Sequence, residues 1–132
     1  MASLSSLPLV LLVCAAAALP PTSGFADSVT YSFDSAASAQ HYLKLLKPLA
    51  DYVAAREAAF TYTFRPFVSA DGASVLLLER FVDQAAHDGP HSNSSAHATY
   101  LSAVAAWNAS TGAITGKVHA DWSETDLGVL QR

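Results

Sequence analysis

Residues 60–82, FTYTFRPFVSADGASVLLLERFV, contain the pattern that decides the fold. In the first arm, Phe60, Tyr62 and Phe64 alternate with polar side chains, which predicts a strand with one buried face. Asp71-Gly72 is a tight-turn signal, so the two arms predict a β-hairpin. The second arm, residues 74–82, contains the consecutive apolar run VLLL, which predicts a strand that is covered on both faces.

The segment before the hairpin predicts one strand and one helix. Residues 28–33 alternate between apolar and polar side chains, as a half-buried strand does. Residues 38–57 repeat apolar side chains at three- and four-residue steps, which predicts an amphipathic helix. Pro48 lies inside this helix and predicts a kink, or alternatively two short helices divided at that residue.

The segment after the hairpin predicts a short helical turn, a helix and a last strand. Asp83 is a candidate cap for the turn, which Gly89-Pro90 is expected to end. The helix is predicted to begin at residues 93–95 and to end near Gly112. Residues 114–122 alternate again and predict the final strand.

The resulting order, β-α-β-β-α-β, predicts an α+β, ferredoxin-like fold. It is a four-stranded antiparallel sheet with the two main helices on one face. The third strand is central in this topology and apolar on both faces, so a second layer should cover the face that lacks helices. The simplest second layer is another copy of the chain. We therefore expect a homodimer packed sheet to sheet, a dimeric α/β barrel.

The N-terminal residues 1–26 predict a secretory signal peptide. They contain no charged side chain, and residues 7–19 form an apolar run of the length of a signal core. Cleavage is predicted after Ala26, which gives a domain at 27–123 and a tail at 124–132; an uncleaved membrane anchor is the alternative. Cleavage would remove Cys14, the only cysteine. We expect a secreted or lumenal protein with no membrane association after cleavage.

The net charge and the glycosylation sequons of the chain limit its expected partners and modifications. The formal net charge is -4, and no cluster of Lys and Arg is present, so nucleic acid is not an expected partner. Glycosylation sequons begin at Asn93 and Asn108. Asn93 precedes its helix and is the predicted acceptor, because Asn108 lies on the inner stripe.

Residues 78–83, LERFVD, are followed by Ala85-Ala86, His91, Ser94 or Ser95, and His97. This segment, with residues 45–50 of the first helix, resembles the antibiotic biosynthesis monooxygenase family. The resemblance implies the ferredoxin-like fold and a cavity between sheet and helices. It also implies oxidation of a small aromatic of the quinol, phenol or anthrone type by O2, with no metal or flavin cofactor.

The chain departs from the family pattern at four points. Phe81 stands where members that act on quinols or haem often have Trp or Tyr, and residues 29–33 of the first strand hold no counterpart of the Asn that haem-degrading members use. Gly89-Pro90 makes the spacing from the acidic residue to His91 one residue longer than usual. The first helix is followed by Glu57-Ala58-Ala59, where the family has a glycine.

Two histidines are the candidate catalytic residues. His97 shares the inner stripe of the second helix with Leu101 and Val104, and a histidine facing the cavity titrates in the range of a general base. His91, in the loop after Pro90, is a candidate base or pocket lid. The alternative for both is a structural or exposed histidine. Aromatic side chains expected on the helix-facing side of the sheet are the candidate substrate-binding residues: Tyr31, Tyr62, Phe64, Phe81 and Trp122.

The other three histidines are not expected to belong to the site. His41, His87 and His119 are predicted to be surface residues. No metal site is expected, because Gly89-Pro90 separates His87 from His91 and prevents a regular helix. The alternative functions on the same fold are a non-catalytic binding module for a hydrophobic ligand or haem, and an isomerase or decarboxylase.

Overall fold

A computed structural model describes residues 24–123. The predicted signal segment up to residue 23 and the predicted tail lie outside this range. The sheet is antiparallel with strand order β2-β3-β1-β4, and its helices lie on one face. The predicted ferredoxin-like fold is confirmed. Its elements are β1 (Phe25–Phe33), α1 (Ala36–Arg56), β2 (Thr61–Val68), β3 (Ser74–Phe81), α2 (Gln84–Ala86), a π-helical turn (His87–His91), α3 (Ser95–Thr111) and β4 (Ile114–Ser123).

The first helix, α1, is continuous through Pro48, so the alternative of two short helices is wrong. Ser35 caps its N-terminus, because the Ser35 side chain accepts a hydrogen bond from the backbone N–H of Ser38. Lys47 and Asp51 form an exposed ion pair one turn apart. The apolar stripe of α1 packs on the sheet and thereby fixes the position of Glu57, the residue that follows the helix.

The turn after β3 differs from the prediction. Asp83 caps α2 as expected, but Gly89-Pro90 does not end the helical path. Pro90 has no N–H to donate to the carbonyl four residues earlier, and the chain widens into a π-turn in which Ser92 N–H donates to His87 O at 3.0 Å. The wider turn stacks the rings of His87 and His91, with centroids 6.0 Å apart.

The two faces of the sheet differ in how they are covered. On the helix side, Val75 and Leu77 of β3 are buried in a core with α1 and α3. On the outer face, Leu76 and Leu78 of the same strand are only half-buried. Exposed apolar side chains surround them: Phe67 is 47% exposed, Val118 68% and Trp122 58%. The predicted two-sided apolar character of β3 is confirmed, and within residues 24–123 nothing covers its outer side.

The first strand begins earlier than predicted. Phe25 and Ala26 belong to β1, where Phe25 pairs with Phe81 on one side and with Ser123 on the other. Both residues are buried, and the rings of Phe25 and Phe81 lie 6.5 Å apart in a small second core. The folded unit therefore includes two residues that the predicted cleavage after Ala26 would remove. No helix among residues 24–123 is long and apolar enough to span a membrane.

Phe25→Ala is expected to lower the free energy of unfolding by about 3 kcal/mol, the usual loss for a truncated core phenylalanine. A chain that begins at Asp27 should lose at least as much, since it also lacks the strand pairing of Ala26. Urea denaturation monitored by circular dichroism measures both. Leu101→Ala is the control, because that side chain is 47% exposed and should cost less than about 1 kcal/mol. Equal losses for Phe25→Ala and Leu101→Ala would contradict the prediction.

Candidate active site

A cavity of about 250 Å³ lies between the helix-facing side of the sheet and the segment from the π-turn to α3. Its apolar lining comes from β1, β3, α1 and α3, and its polar lining comes from strand ends and the π-turn. Such a mixture of apolar walls and a few polar groups is typical of small-molecule sites. The lining residues that matter for the chemistry are Asp27, Tyr31, Glu79, His87, His97, Tyr100, Lys117 and His119.

His97 lines the cavity from the first turn of α3. Its Nδ1 lies 3.1 Å from the backbone oxygen of Ser92. A carbonyl oxygen only accepts, so Nδ1 carries the proton and the neutral ring keeps its lone pair on Nε2. This contact leaves Nε2 as the available ring nitrogen. His97 therefore lines the cavity, as its place on the inner stripe predicted.

His91 is fully buried and does not line the cavity. Its Nδ1 lies 2.7 Å from Glu57 Oε2, which also accepts a hydrogen bond from the Thr61 hydroxyl. On the other side of the ring, His91 Nε2 lies 3.5 Å from Glu79 Oε1. Burial alone lowers the pKa of His91, but the carboxylates of Glu79 and Glu57 outweigh it and raise the pKa above its ordinary value. His91 is thus no lid, and it reaches the cavity only through Glu79.

Asp27, Glu79 and His87, which we call the acidic corner, meet at one end of the cavity. They come from β1, β3 and the π-turn, and one ligand atom from each lies within 4.8 Å of the other two. The nearby Asp27 carboxylate, whose Oδ2 lies 3.6 Å from His87 Nε2, raises the pKa of His87 to about 9, although burial opposes this. Burial raises the pKa of Asp27, but its interactions with His87 and His119 prevail and lower it. This corner therefore attracts positive charge.

Two tyrosine hydroxyls meet behind the cavity wall. The Tyr42 and Tyr100 oxygens are 2.7 Å apart and buried. Burial is the main cause that raises the pKa of both phenols, and it is reinforced at Tyr100 by Tyr42. Both side chains therefore remain neutral hydrogen-bonding groups. At the open side, Lys117 Nζ lies 5.5 Å from the centre of the Tyr31 ring, so a cation stands over this aromatic wall.

The five predicted aromatic residues fall in four different places. Tyr31 lines the cavity. Phe64 and Phe81 pack around the buried His91 ring, at 6.1 and 5.0 Å between centroids. Tyr62 is 40% exposed at the irregular start of β2 and does not reach the cavity.

Trp122 lies on the outer face, and its predicted place on the helix side is wrong. Its cross-strand neighbour is Ala26, and its Nε1 donates to Ser28 Oγ at 3.0 Å. The apolar side chains of β4 alternate towards the outer face, so the polar ones, Lys117 and His119, point towards the cavity. Side chains alternate along β4, so its polar side chains face the cavity because its apolar side chains face the outer side of the sheet.

Most of the charged residues of the site were not predicted from the sequence. His87 and His119 both line the cavity; His87 is half-buried, contrary to the surface prediction, whereas His119 and His41 are exposed as predicted. Asp27 and Glu79 could have been found by alternation, because each is two residues from an inward-facing apolar side chain. Glu57 carried no signal, since its partner is 34 residues away.

The first sequon residue, Asn93, precedes α3, and the second, Asn108, lies within its last turn. Asn93 is exposed, with its side-chain amide donating to Asp88 O at 3.0 Å. Asn108 is half-buried, and its Oδ1 accepts from the backbone N–H of Ile114 at 2.8 Å. Asn108 therefore has a structural role, and glycosylation at Asn93 stays a prediction.

Neither a protein-family profile nor any curated protein sequence matches this chain. Solved structures do. Rv0793 from Mycobacterium tuberculosis is similar at 21% identity and a TM-score of 0.62, over 79% of this chain and 97% of that one. A Caulobacter crescentus protein, provisionally named an antibiotic biosynthesis monooxygenase, has 17% identity and a TM-score of 0.62 over 80% and 93%. A Nitrosomonas europaea protein with the same provisional name has 11% identity and a TM-score of 0.64 over 80% and 94%. This chain has the fold of the antibiotic biosynthesis monooxygenases.

Proposed function

We propose that this chain is a monooxygenase-like domain that oxidises a small aromatic of the quinol, phenol or anthrone type with O2, and that this reaction requires neither a metal nor a flavin cofactor. The observation that carries the proposal is His97, a base with a fixed tautomer on the wall of a largely apolar cavity. At about 250 Å³ the cavity is smaller than the roughly 300–1,000 Å³ of pockets for drug-sized ligands, so it suits a small aromatic and not a haem.

The reaction needs one proton transfer and exclusion of water. His97 Nε2 takes the acidic proton of the substrate, and the resulting anion is electron-rich enough to react with O2. For an anthrone, the carbanion adds O2 and the proton returns from His97 to give a hydroperoxide. Loss of water then leaves a carbonyl at that carbon, so one oxygen atom enters the product and the other leaves as water. Lys117 at the mouth stabilises the anion, and the apolar walls keep water from protonating it.

Oxygen consumption by the purified protein, measured with a panel of quinols, phenols and anthrones after treatment with a chelator, tests this proposal. Consumption with at least one class, above the rate without protein and with product carrying one atom from labelled O2, is the expected result. Saturable binding of the panel without oxygen consumption would instead favour the non-catalytic binding module.

A homodimer is part of the same proposal, since the outer face exposes apolar side chains that a second copy would cover. Light scattering at micromolar concentration should give twice the mass of one chain. Val118→Lys, in the exposed apolar surface, should shift the mass to that of a monomer, because it buries an unpaired charge in the interface. Leu101→Lys on the helix side is the control. A monomeric parent protein would contradict this proposal.

A further inference from the structure

The acidic corner has a geometry that the proposed reaction does not use. Asp27 and Glu79 are 4% and 5% exposed, and they face each other across neighbouring strands at paired positions. Two carboxylates this close repel each other unless a cation lies between them. Because β1, β3 and the π-turn hold these side chains, they cannot move apart at low cost.

Several lone pairs in this corner converge without hydrogen bonds. Asp27 Oδ1 is fully buried and has no hydrogen-bond partner within residues 24–123, although His119 Nε2 lies only 2.7 Å from it. The imidazole N–H is therefore not directed at that oxygen. His87 Nε2 lies 3.6 Å from Asp27 Oδ2, which is longer than a hydrogen bond. Atoms that approach in this way are arranged like ligands around a common centre.

The groups behind these candidate ligands are also arranged as they are around a bound metal ion. His87 Nδ1 lies 2.7 Å from Asp88 Oδ1, so a carboxylate orients the ring, and an ion in the corner would take the place of the proton on Nε2. Glu79 is in turn approached by the buried His91, which Glu57 holds from behind. Carboxylates that orient a histidine ligand and hydrogen-bonding groups behind a carboxylate ligand are typical of protein metal sites.

We propose that the acidic corner binds a divalent first-row transition-metal ion, with Asp27, Glu79 and His87 as ligands and His119 as a fourth on the open side. Two carboxylates neutralise the ion, and imidazole nitrogen favours Zn²⁺, Fe²⁺, Co²⁺ or Mn²⁺ over Ca²⁺, which prefers six to eight oxygens. The site goes beyond the proposed function, since the base His97 is not a ligand. An ion here would present an open coordination position to the cavity, for water or an oxygen of the bound molecule.

Calorimetric titration of the chelator-treated full chain with Zn²⁺ tests the site, with Co²⁺ absorption as a spectroscopic check. We expect one ion per chain. Asp27→Asn, Glu79→Gln and His87→Gln should each weaken binding by at least about 100-fold, the upper range for losing even a second-shell partner. His41→Gln, which changes an exposed histidine on α1, should leave binding unchanged. These readouts do not depend on turnover, so their failure is separate from failure of the oxidation proposal.

Two further variants show whether lost binding is due to misfolding and whether the ion binds at a neighbouring group of residues instead. Asp88→Ala changes a side chain that is 58% exposed and should weaken Zn²⁺ binding by about 10-fold without affecting the fold. Asp121→Asn tests a more exposed group formed by Asp27, His119 and Asp121, and should weaken the affinity far less than Glu79→Gln does. Absence of binding at micromolar Zn²⁺, or affinity that depends on Asp121 and not on Glu79, would overturn the proposal.

Discussion

His97→Ala is expected to lower kcat/KM for oxidation of the preferred aromatic by about 10²- to 10⁴-fold, the usual contribution of a positioned general base. The reason is geometric. The Ser92 carbonyl fixes the proton on Nδ1, so the neutral ring offers Nε2 to the cavity without a change of tautomer. Alanine removes the only base of this kind among the cavity-lining residues, since His87 and His119 both contact carboxylates. Oxygen consumption under first-order conditions gives the ratio.

Two controls separate loss of the base from loss of the fold. Added imidazole should restore part of the activity of His97→Ala, because a small base can enter the space that the ring leaves. His41→Ala removes an exposed histidine that packs on Trp107, and its activity should equal that of the parent. Unchanged turnover in His97→Ala would remove this residue from the mechanism. If the folded His97→Ala variant loses activity and added imidazole does not restore it, His97 positions the substrate and does not act as the base.

The sequence predicted the backbone well because alternation and helical period are local signals. The hairpin, the cap at Ser94 and the end of α3 at Gly112, where φ is +64°, all follow from side chains within a few residues. Alternation also shows that Val118 and Trp122 share a face. It does not show which face that is. The usual assumption puts apolar side chains against the helices, and this chain reverses it at β4.

The residues of the candidate site were harder to predict, since their partners are distant in sequence. Asp27 belongs to β1 only because the strand begins three residues earlier than predicted, at Phe25, and the predicted cleavage after Ala26 concealed that extension. His87 and His91 were judged by whether an α-helix could join them. The π-turn joins them instead, by a route that helical periodicity does not describe.

Two of the departures from the family pattern prove to be two halves of one contact. Glu57 stands where the family has a glycine, and Gly89-Pro90 shifts His91 into the π-turn. Their side chains meet at 2.7 Å in the interior, where His91 is fully buried and Glu57 is 1% exposed. A buried charge on Glu57 would destabilise the fold if it had no partner, and so would a buried charge on His91. Together the two side chains form a buried ion pair. We infer that the two features depend on each other.

This dependence predicts that Glu57→Leu destabilises the protein by about 3–5 kcal/mol, the cost of removing one partner from a buried ion pair. The loss leaves His91 Nδ1–H and the Thr61 hydroxyl without their shared acceptor. Glu57→Gln keeps an acceptor in place and should cost less. Urea denaturation of the three proteins at one pH gives the differences.

The double variant Glu57→Leu with His91→Phe decides whether the two residues act as a unit. Replacing both partners of a buried pair by apolar groups of similar size is often close to neutral, because no charge is left unpaired. Phe64 and Phe81 already surround the His91 ring, so a phenylalanine there would meet an aromatic environment. We expect the double variant to be more stable than Glu57→Leu alone, with a coupling energy of about 1–3 kcal/mol in the double-mutant cycle. Strictly additive losses would show that the two departures arose independently and that the contact does not hold the π-turn in place.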